Sequence, residues 1–183
     1  MRPADLPPLT ADEHAHGVRV RGALLDRIRS NGGWIAFSDF MKFALYEPGL
    51  GYYSAGTRKF GADGDFITAP DLTPLYARCV ARQVADILRE SRGREVVEFG
   101  AGSGSLAVGV MQALGERGDA PERYSIVEVS ADLRERQREH VRAALGAQAS
   151  RVRWLDGLPQ TAVRGALIAN EVLDAFPVER FRV

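Results

Sequence analysis

The sequence predicts an α/β protein: a parallel sheet with crossover helices, preceded by a helical extension. Three observations carry that reading. From Glu95 onward, short apolar runs alternate with segments of helical period, the pattern of parallel strands joined by helices. The first run leads straight into Glu98-Phe99-Gly100-Ala101-Gly102-Ser103-Gly104, a glycine turn that opens an apolar-periodic segment (Leu106, Val110, Met111, Leu114). And 45% of the 183 residues are hydrophobic, which suffices for one ordinary core.

Residues 1–17 are rich in Pro and Asp and show no period, so they are expected to form a flexible tail. His14 and His16 lie there; a two-His metal site is outweighed by the simpler reading of solvated side chains. Leu24, Leu25 and Ile28 mark a first helix that ends near Asn31-Gly32-Gly33. Trp34-Ile35-Ala36-Phe37 reads as a short strand. Ser38 is the expected N-cap of a second helix, which Pro48 stops after about Tyr46. Two glycine-rich stretches follow, Gly49 to Ser54 and Gly61 to Asp71. Thr73 with Pro74 opens a third helix by the N-cap and N1 rule. Its expected buried face is Leu75, Cys79, Val84, Ile87 and Leu88, and Gly93 ends it. Residues 18–93 thus form a helical lid region, and 94–183 the sheet domain.

Within that domain, strand one is Glu95–Phe99 and its helix runs from Ser105 to about Leu114. A polar connection holds Gly118 and Pro121. Strand two is Tyr124–Val129. Ser130 caps a helix with Leu133, Gln137, Val141 and Leu145 on one side and a solvated charged face on the other. Strand three is Val152–Leu155, strand four Ala166–Ala169, and a helical turn over Val172–Phe176 ends before Pro177.

Composition narrows the function. A formal net charge of +0 argues against a nucleic-acid footprint, which needs a basic surface. No run approaches the roughly 18 apolar residues of a membrane span, and the first residues lack the apolar stretch of a signal peptide. Cys79 is the only cysteine. It allows neither an internal disulfide nor a cysteine-based metal site, so a cytoplasmic, reducing compartment is expected. No metal ligand set is expected.

The glycine loop discriminates between ligands. A dinucleotide fingerprint needs G-x-G-x-x-G, and its third glycine would fall at Ser105. Here the spacing is G-x-G-x-G, with Glu98 two residues before Gly100. A carboxylate there repels a pyrophosphate and attracts an ammonium or sulfonium, so the loop suits S-adenosylmethionine better than NAD; an ordinary glycine-rich turn is the plain alternative. In open α/β sheets ligands bind beyond the carboxyl ends of the strands. Each of the other strand ends carries acid. Glu128 lies in the apolar run Ile126-Val127-Glu128-Val129, where a carboxylate needs a partner such as the hydroxyls of a ribose. Asp156 in Leu155-Asp156-Gly157 either accepts from an adenine amino group or forms a turn. Trp154 reads as core rather than as an adenine platform. Asn170, Glu171 and Asp174 are the candidate catalytic set: the two acids share one side of a helical turn and can hold a guanidinium through its fork of donors. Capping of the turn is the plain alternative.

Taken together, these residues give a chain that resembles the MidA family of S-adenosylmethionine-dependent methyltransferases, which includes the mitochondrial complex I assembly factor that methylates a protein arginine. The resemblance runs from roughly Gly33 to the last residue and covers the N-terminal half of such proteins. It rests on Gly51-Tyr52-Tyr53, Gly64-Asp65-Phe66-Ile67-Thr68-Ala69-Pro70, Glu98-x-Gly-x-Gly-x-Gly, Val127-Glu128-Val129-Ser130 with Leu133 and Gln137, and Asn170-Glu171-x-x-Asp174-Ala175-x-Pro177-Val178. It implies a Rossmann-like class I methyltransferase fold with sheet order 3-2-1-4, truncated, so that strand four has a free edge. It also implies S-adenosylmethionine contacts at Gly100, Gly102 and Gly104, and a loop from Gly64 to Pro70, including Thr68, folded over cofactor or substrate. Asp71 stands where the family pattern has Glu. The implied partner is a protein arginine, on a respiratory complex I subunit, with room for a homo-oligomer. A non-catalytic assembly module that retains the fold is the alternative, and an NAD-dependent oxidoreductase a third reading that the displaced glycine disfavours.

Overall fold

The computed structural model describes residues 8–55 and 67–181. The chain divides into two compact units, Met1–Gly56 with Ala175–Val183, and Thr57–Asp174. In the first unit, helix α1 (Ala11–Ser30) begins on a reciprocal cap: Thr10 Oγ1 accepts from the Glu13 N–H, and the Glu13 carboxylate accepts from the Thr10 N–H. Residues 11–17, expected to be loose, are therefore helical. The cap supplies the helix start, and the helix buries no residue, which is why its apolar period is faint. His16 is half-buried, with Nε2 3.1 Å from the Leu50 carbonyl. Helix α2 (Phe37–Tyr46) starts two residues earlier than Ser38 predicts, at an Ala36 N-cap that has no side-chain bond. The Ser38 hydroxyl donates to Glu179 instead, and residues 34–36 form no strand.

The second unit holds helices α3 (Ala69–Leu72), α4 (Pro74–Ser91), α5 (Ser105–Glu116) and α6 (Ala131–Leu145), with strands β1 (Glu95–Phe99), β2 (Arg123–Val127), β3 (Val152–Leu155) and β4 (Gly165–Ala169). The strands form one parallel sheet in the order β3-β2-β1-β4, as expected. Alternate strand positions Val96, Tyr124, Ile126, Val152 and Ala166 join residues of α4, α5 and α6 in a single core. The Thr73 cap of α4 is present, with Thr73 Oγ1 accepting from the Leu75 N–H.

The buried stripe of α4 corrects the expected one. Cys79, Leu75 and Ile87 are exposed, whereas Ala77, Ala81, Val84, Ala85 and Leu88 are buried. The cause is close helix approach: a Cβ built on Gly109 of α5 would stand 2.5 Å from the Ala77 Cβ. Small residues at that crossing let α4 and α5 touch, and the larger apolar side chains are turned outward. Strand β2 stops at Val127, two residues before the predicted end. The helical turn after β4 is a 3-10 turn, Leu173–Ala175. No helix among the described residues is long and apolar enough to cross a membrane.

Candidate functional site

The glycine loop leaves the carboxyl end of β1, the central strand. Gly100, Gly102 and Gly104 take φ values of 58, 56 and 83. These left-handed conformations strain any residue with a Cβ, so the loop is glycine by necessity. A ligand reaching it meets bare main chain. The loop is held from three directions. From β2, the Val127 carbonyl accepts the Gly100 N–H at 3.0 Å. From α6, Gln137 Nε2 donates to the Gly102 carbonyl at 3.0 Å, and His140 Nδ1 lies 3.1 Å from the Ser103 carbonyl. From α3, Asp71 accepts the Ser103 hydroxyl at 2.7 Å and the Thr68 hydroxyl at 3.2 Å. The Asp that replaces the expected Glu thus makes a direct contact with the loop.

Glu98 sits beneath the loop and is 2% exposed. Its carboxyl accepts from the Tyr124 hydroxyl at 2.7 Å. Burial pushes it up to about 7, against the Tyr124 bond and with help from the nearby Glu128 charge. Glu128, one residue past β2, is 6% exposed. One carboxylate oxygen accepts from the Ser130 N–H at 2.9 Å and the other from Gln137 Nε2 at 3.1 Å. Burial raises its pKa; the Ser130 and Gln137 bonds and the Arg134 charge oppose the rise. Backbone N–H groups of Ser130 and Val129 act on this carboxylate, and the oxygen that Gln137 meets keeps a lone pair for a ligand hydroxyl such as that of a ribose. Asp156, past β3, has a side chain 92% exposed and pairs with Arg134 Nη1 at 2.5 Å, while Arg134 Nη2 donates to the Glu128 carbonyl at 2.6 Å. Arg134 therefore ties the ends of β2 and β3 together, and its buried Nε has no partner among the described residues.

Beyond β4, Asn170 Oδ1 accepts from the Tyr76 hydroxyl of α4 at 2.6 Å. Glu171 and Asp174 are exposed, and Glu171 adopts φ 51. Val172, between them, lies against the glycine loop: a Cβ on Gly100 would stand 3.3 Å from its Cγ2. Thr68 is the N-cap of α3 and Pro70 lies in its first turn. The Gly64 to Phe66 part of the expected lid loop lies outside the described residues. The structure thus gathers the glycines, Glu98, Glu128, Thr68 and Asp71 around the end of β1, with Asp156 linked through Arg134. Sequence reasoning missed Gln137, His140, Arg134 and Tyr76 as site residues. For Gln137 the signal was present: a polar amide on an apolar helix stripe needs partners. A cavity of about 700 Å³ lined by Arg92, Arg94, Glu122 and Arg151 lies at the opposite, amino end of β1 and β2, away from the site.

Comparison with known proteins bears on the family and the fold. The family described as "Putative S-adenosyl-L-methionine-dependent methyltransferase" matches residues 79–183. The chain is 29% identical over 181 residues to the Caenorhabditis elegans protein arginine methyltransferase NDUFAF7 homolog, mitochondrial, covering 86% of this chain and 42% of that one. To the Danio rerio protein arginine methyltransferase NDUFAF7, mitochondrial, it is 27% identical over 176 residues, covering 82% and 41%. A crystal structure of a candidate methyl transferase from Burkholderia thailandensis, bound to S-adenosyl-homocysteine, matches with TM-score 0.88 and 47% identity over 94% of this chain and 46% of that one. A second crystal structure from that organism, of an uncharacterized protein, matches with TM-score 0.84 and 46% identity over 96% of this chain and 44% of that one. The chain spans less than half the length of these relatives, and its fold is the α/β methyltransferase-like one.

Proposed function

The chain belongs to this S-adenosyl-L-methionine-dependent methyltransferase family, and from that premise we propose that the protein methylates a protein arginine. The observation that carries the proposal is the left-handed glycine loop after β1 standing beside the buried Glu128 after β2. Bound there, S-adenosylmethionine supplies a methyl group on a positively charged sulfur. Gly100, Gly102 and Gly104 admit the cofactor to the main chain, and Glu128 accepts from its ribose hydroxyls. Glu98 underlies the loop, Thr68 and Pro70 border it, and Asp156 flanks the adenine side.

Asn170, Glu171 and Asp174 are the proposed substrate side. A guanidinium has a pKa above about 12 and is a poor nucleophile while protonated. Two carboxylates hold it through paired N–H donors and accept the proton it sheds as the methyl group arrives. The Tyr76 hydroxyl fixes the amide of Asn170 for this. The names of the curated relatives support the choice of arginine, and a respiratory complex I subunit is the substrate proposed. Calorimetry with S-adenosylhomocysteine, then incubation with labelled methyl donor and complex I subunits, tests the whole reading. Absence of binding removes the cofactor; binding without label in arginine leaves an assembly module that keeps the fold.

A further inference from the structure

We propose that Gln137 is a positioning residue of the cofactor site: its buried amide locks the glycine loop, Glu128 and Trp154 into one frame. It thereby sets how Glu128 presents its remaining lone pair to a ribose hydroxyl. The inference rests on the cofactor reading above.

Gln137 is 0% exposed, on the face of α6 that also buries Leu133 and Val141. Both N–H donors of its amide and one of the two acceptor positions on its oxygen are used. Nε2 donates to the Gly102 carbonyl at 3.0 Å and to a Glu128 carboxylate oxygen at 3.1 Å; Oε1 accepts from the Trp154 indole N–H at 2.9 Å. The orientation is not interchangeable. A reversed amide would set its oxygen against two acceptors and its N–H groups against an indole N–H. The partners come from three successive connections of the sheet: the loop after β1, the residue after β2, and β3 itself. The Trp154 ring is held in turn by the Arg138 guanidinium, 5.3 Å from its centroid. Packing alone does not call for an amide at this place, because a buried polar group without partners is costly. Its value lies in orientation. With Ser130 on one carboxylate oxygen and Gln137 on the other, the orientation of the Glu128 carboxylate is fixed before a ligand arrives.

The test is calorimetry with S-adenosylhomocysteine and with its 2′-deoxy form, on the unaltered protein and on Gln137→Met, which keeps the length and removes every polar atom. The unaltered protein should favour the full ligand by about ten-fold. Gln137→Met should bind the full ligand about ten-fold more weakly and the deoxy form less than about three-fold more weakly, so that discrimination between them collapses. Equal losses for both ligands mean that the residue only holds the fold, and overturn the proposal, as does unchanged affinity. If the unaltered protein binds neither ligand, the cofactor reading fails and the proposal falls with it. Should Gln137→Met not fold, Trp154→Phe removes the indole donor together with one ring of the side chain. It must show the same selective loss in smaller measure, and a uniform loss there rejects the idea.

Discussion

Glu171 holds a left-handed backbone, φ 51, without being glycine. The other described residue of this kind, Arg92 at φ 51, caps the end of α4, a place where that conformation is common. Glu171 caps no helix; it follows β4, next to Asn170. Strain of this kind costs about 1–2 kcal/mol and is held where the local geometry serves a purpose. Glu171→Gly should therefore raise stability by up to about 1 kcal/mol, the flexibility of glycine in the unfolded chain offsetting the rest. It should lower methyl transfer by about ten-fold or more, through loss of a charge-assisted contact. Urea unfolding beside a transfer assay measures both, and full activity in the variant would remove Glu171 from the catalytic set. Glu98 carries a different prediction. Its carboxyl titrates at about 7 in the fold against an ordinary 4.5. Between those values the folded protein keeps a proton that the unfolded chain has lost, so this group's contribution is complete below about pH 4.5 and disappears as pH rises through 7. Stability should fall by on the order of 2–3 kcal/mol from pH 5 to pH 8 on this account. In Glu98→Gln, whose amide oxygen still accepts from Tyr124, the fall should shrink to what Glu128 adds in the same direction. Parallel unfolding curves for the two proteins at both pH values would contradict it.

At the scale of elements, a helix of one turn is tied to the cofactor loop by a single side chain. Asp71 in α3 accepts from Ser103 in the loop and from Thr68 at its own cap. Asp71→Ala leaves Ser103 and Thr68 without this acceptor. The expected results are roughly three- to ten-fold weaker S-adenosylhomocysteine binding and faster amide exchange at residues 68–72. Exchange unchanged from the unaltered protein would mean that α3 is held by packing alone. This contact also shows what was legible in the sequence. The glycines, Glu98 and Glu128 could be read because strand, turn and acid follow one another along the chain. Strand order was legible because βα alternation admits few arrangements. Asp71 to Ser103 and Tyr76 to Asn170 span 32 and 94 residues, and no local pattern encodes them. The α4 stripe was misread because apolar size was taken to decide burial, whereas the Ala77–Gly109 approach gave the inner place to alanines. The start of α1 was carried by Thr10 and Glu13, a cap signal that the aperiodic composition around it hid.

At the scale of the whole molecule, the two edges of the sheet differ. The β3 edge carries Arg153, a charge of the kind that discourages pairing between chains. The β4 edge is Gly-Ala-Leu-Ile-Ala, with no charge, no proline and no partner strand among the described residues on its outer side. Its Ala166 points into the core, and Leu167, on the opposite face, is 65% exposed. Such an edge is tolerable only when something covers it. Expressed by themselves, these 183 residues should self-associate through β4. Burying one leucine contributes about 1.5–3 kcal/mol, so Leu167→Lys should raise the concentration needed for association by roughly ten-fold or more. The cofactor loop, at the carboxyl end of β1, contains no residue of β4 and should be unaffected. Light scattering across a dilution series, with S-adenosylhomocysteine titration as the control, separates the two effects. Association that persists unchanged in Leu167→Lys would place the sticky surface elsewhere and leave β4 as an edge that needs no cover.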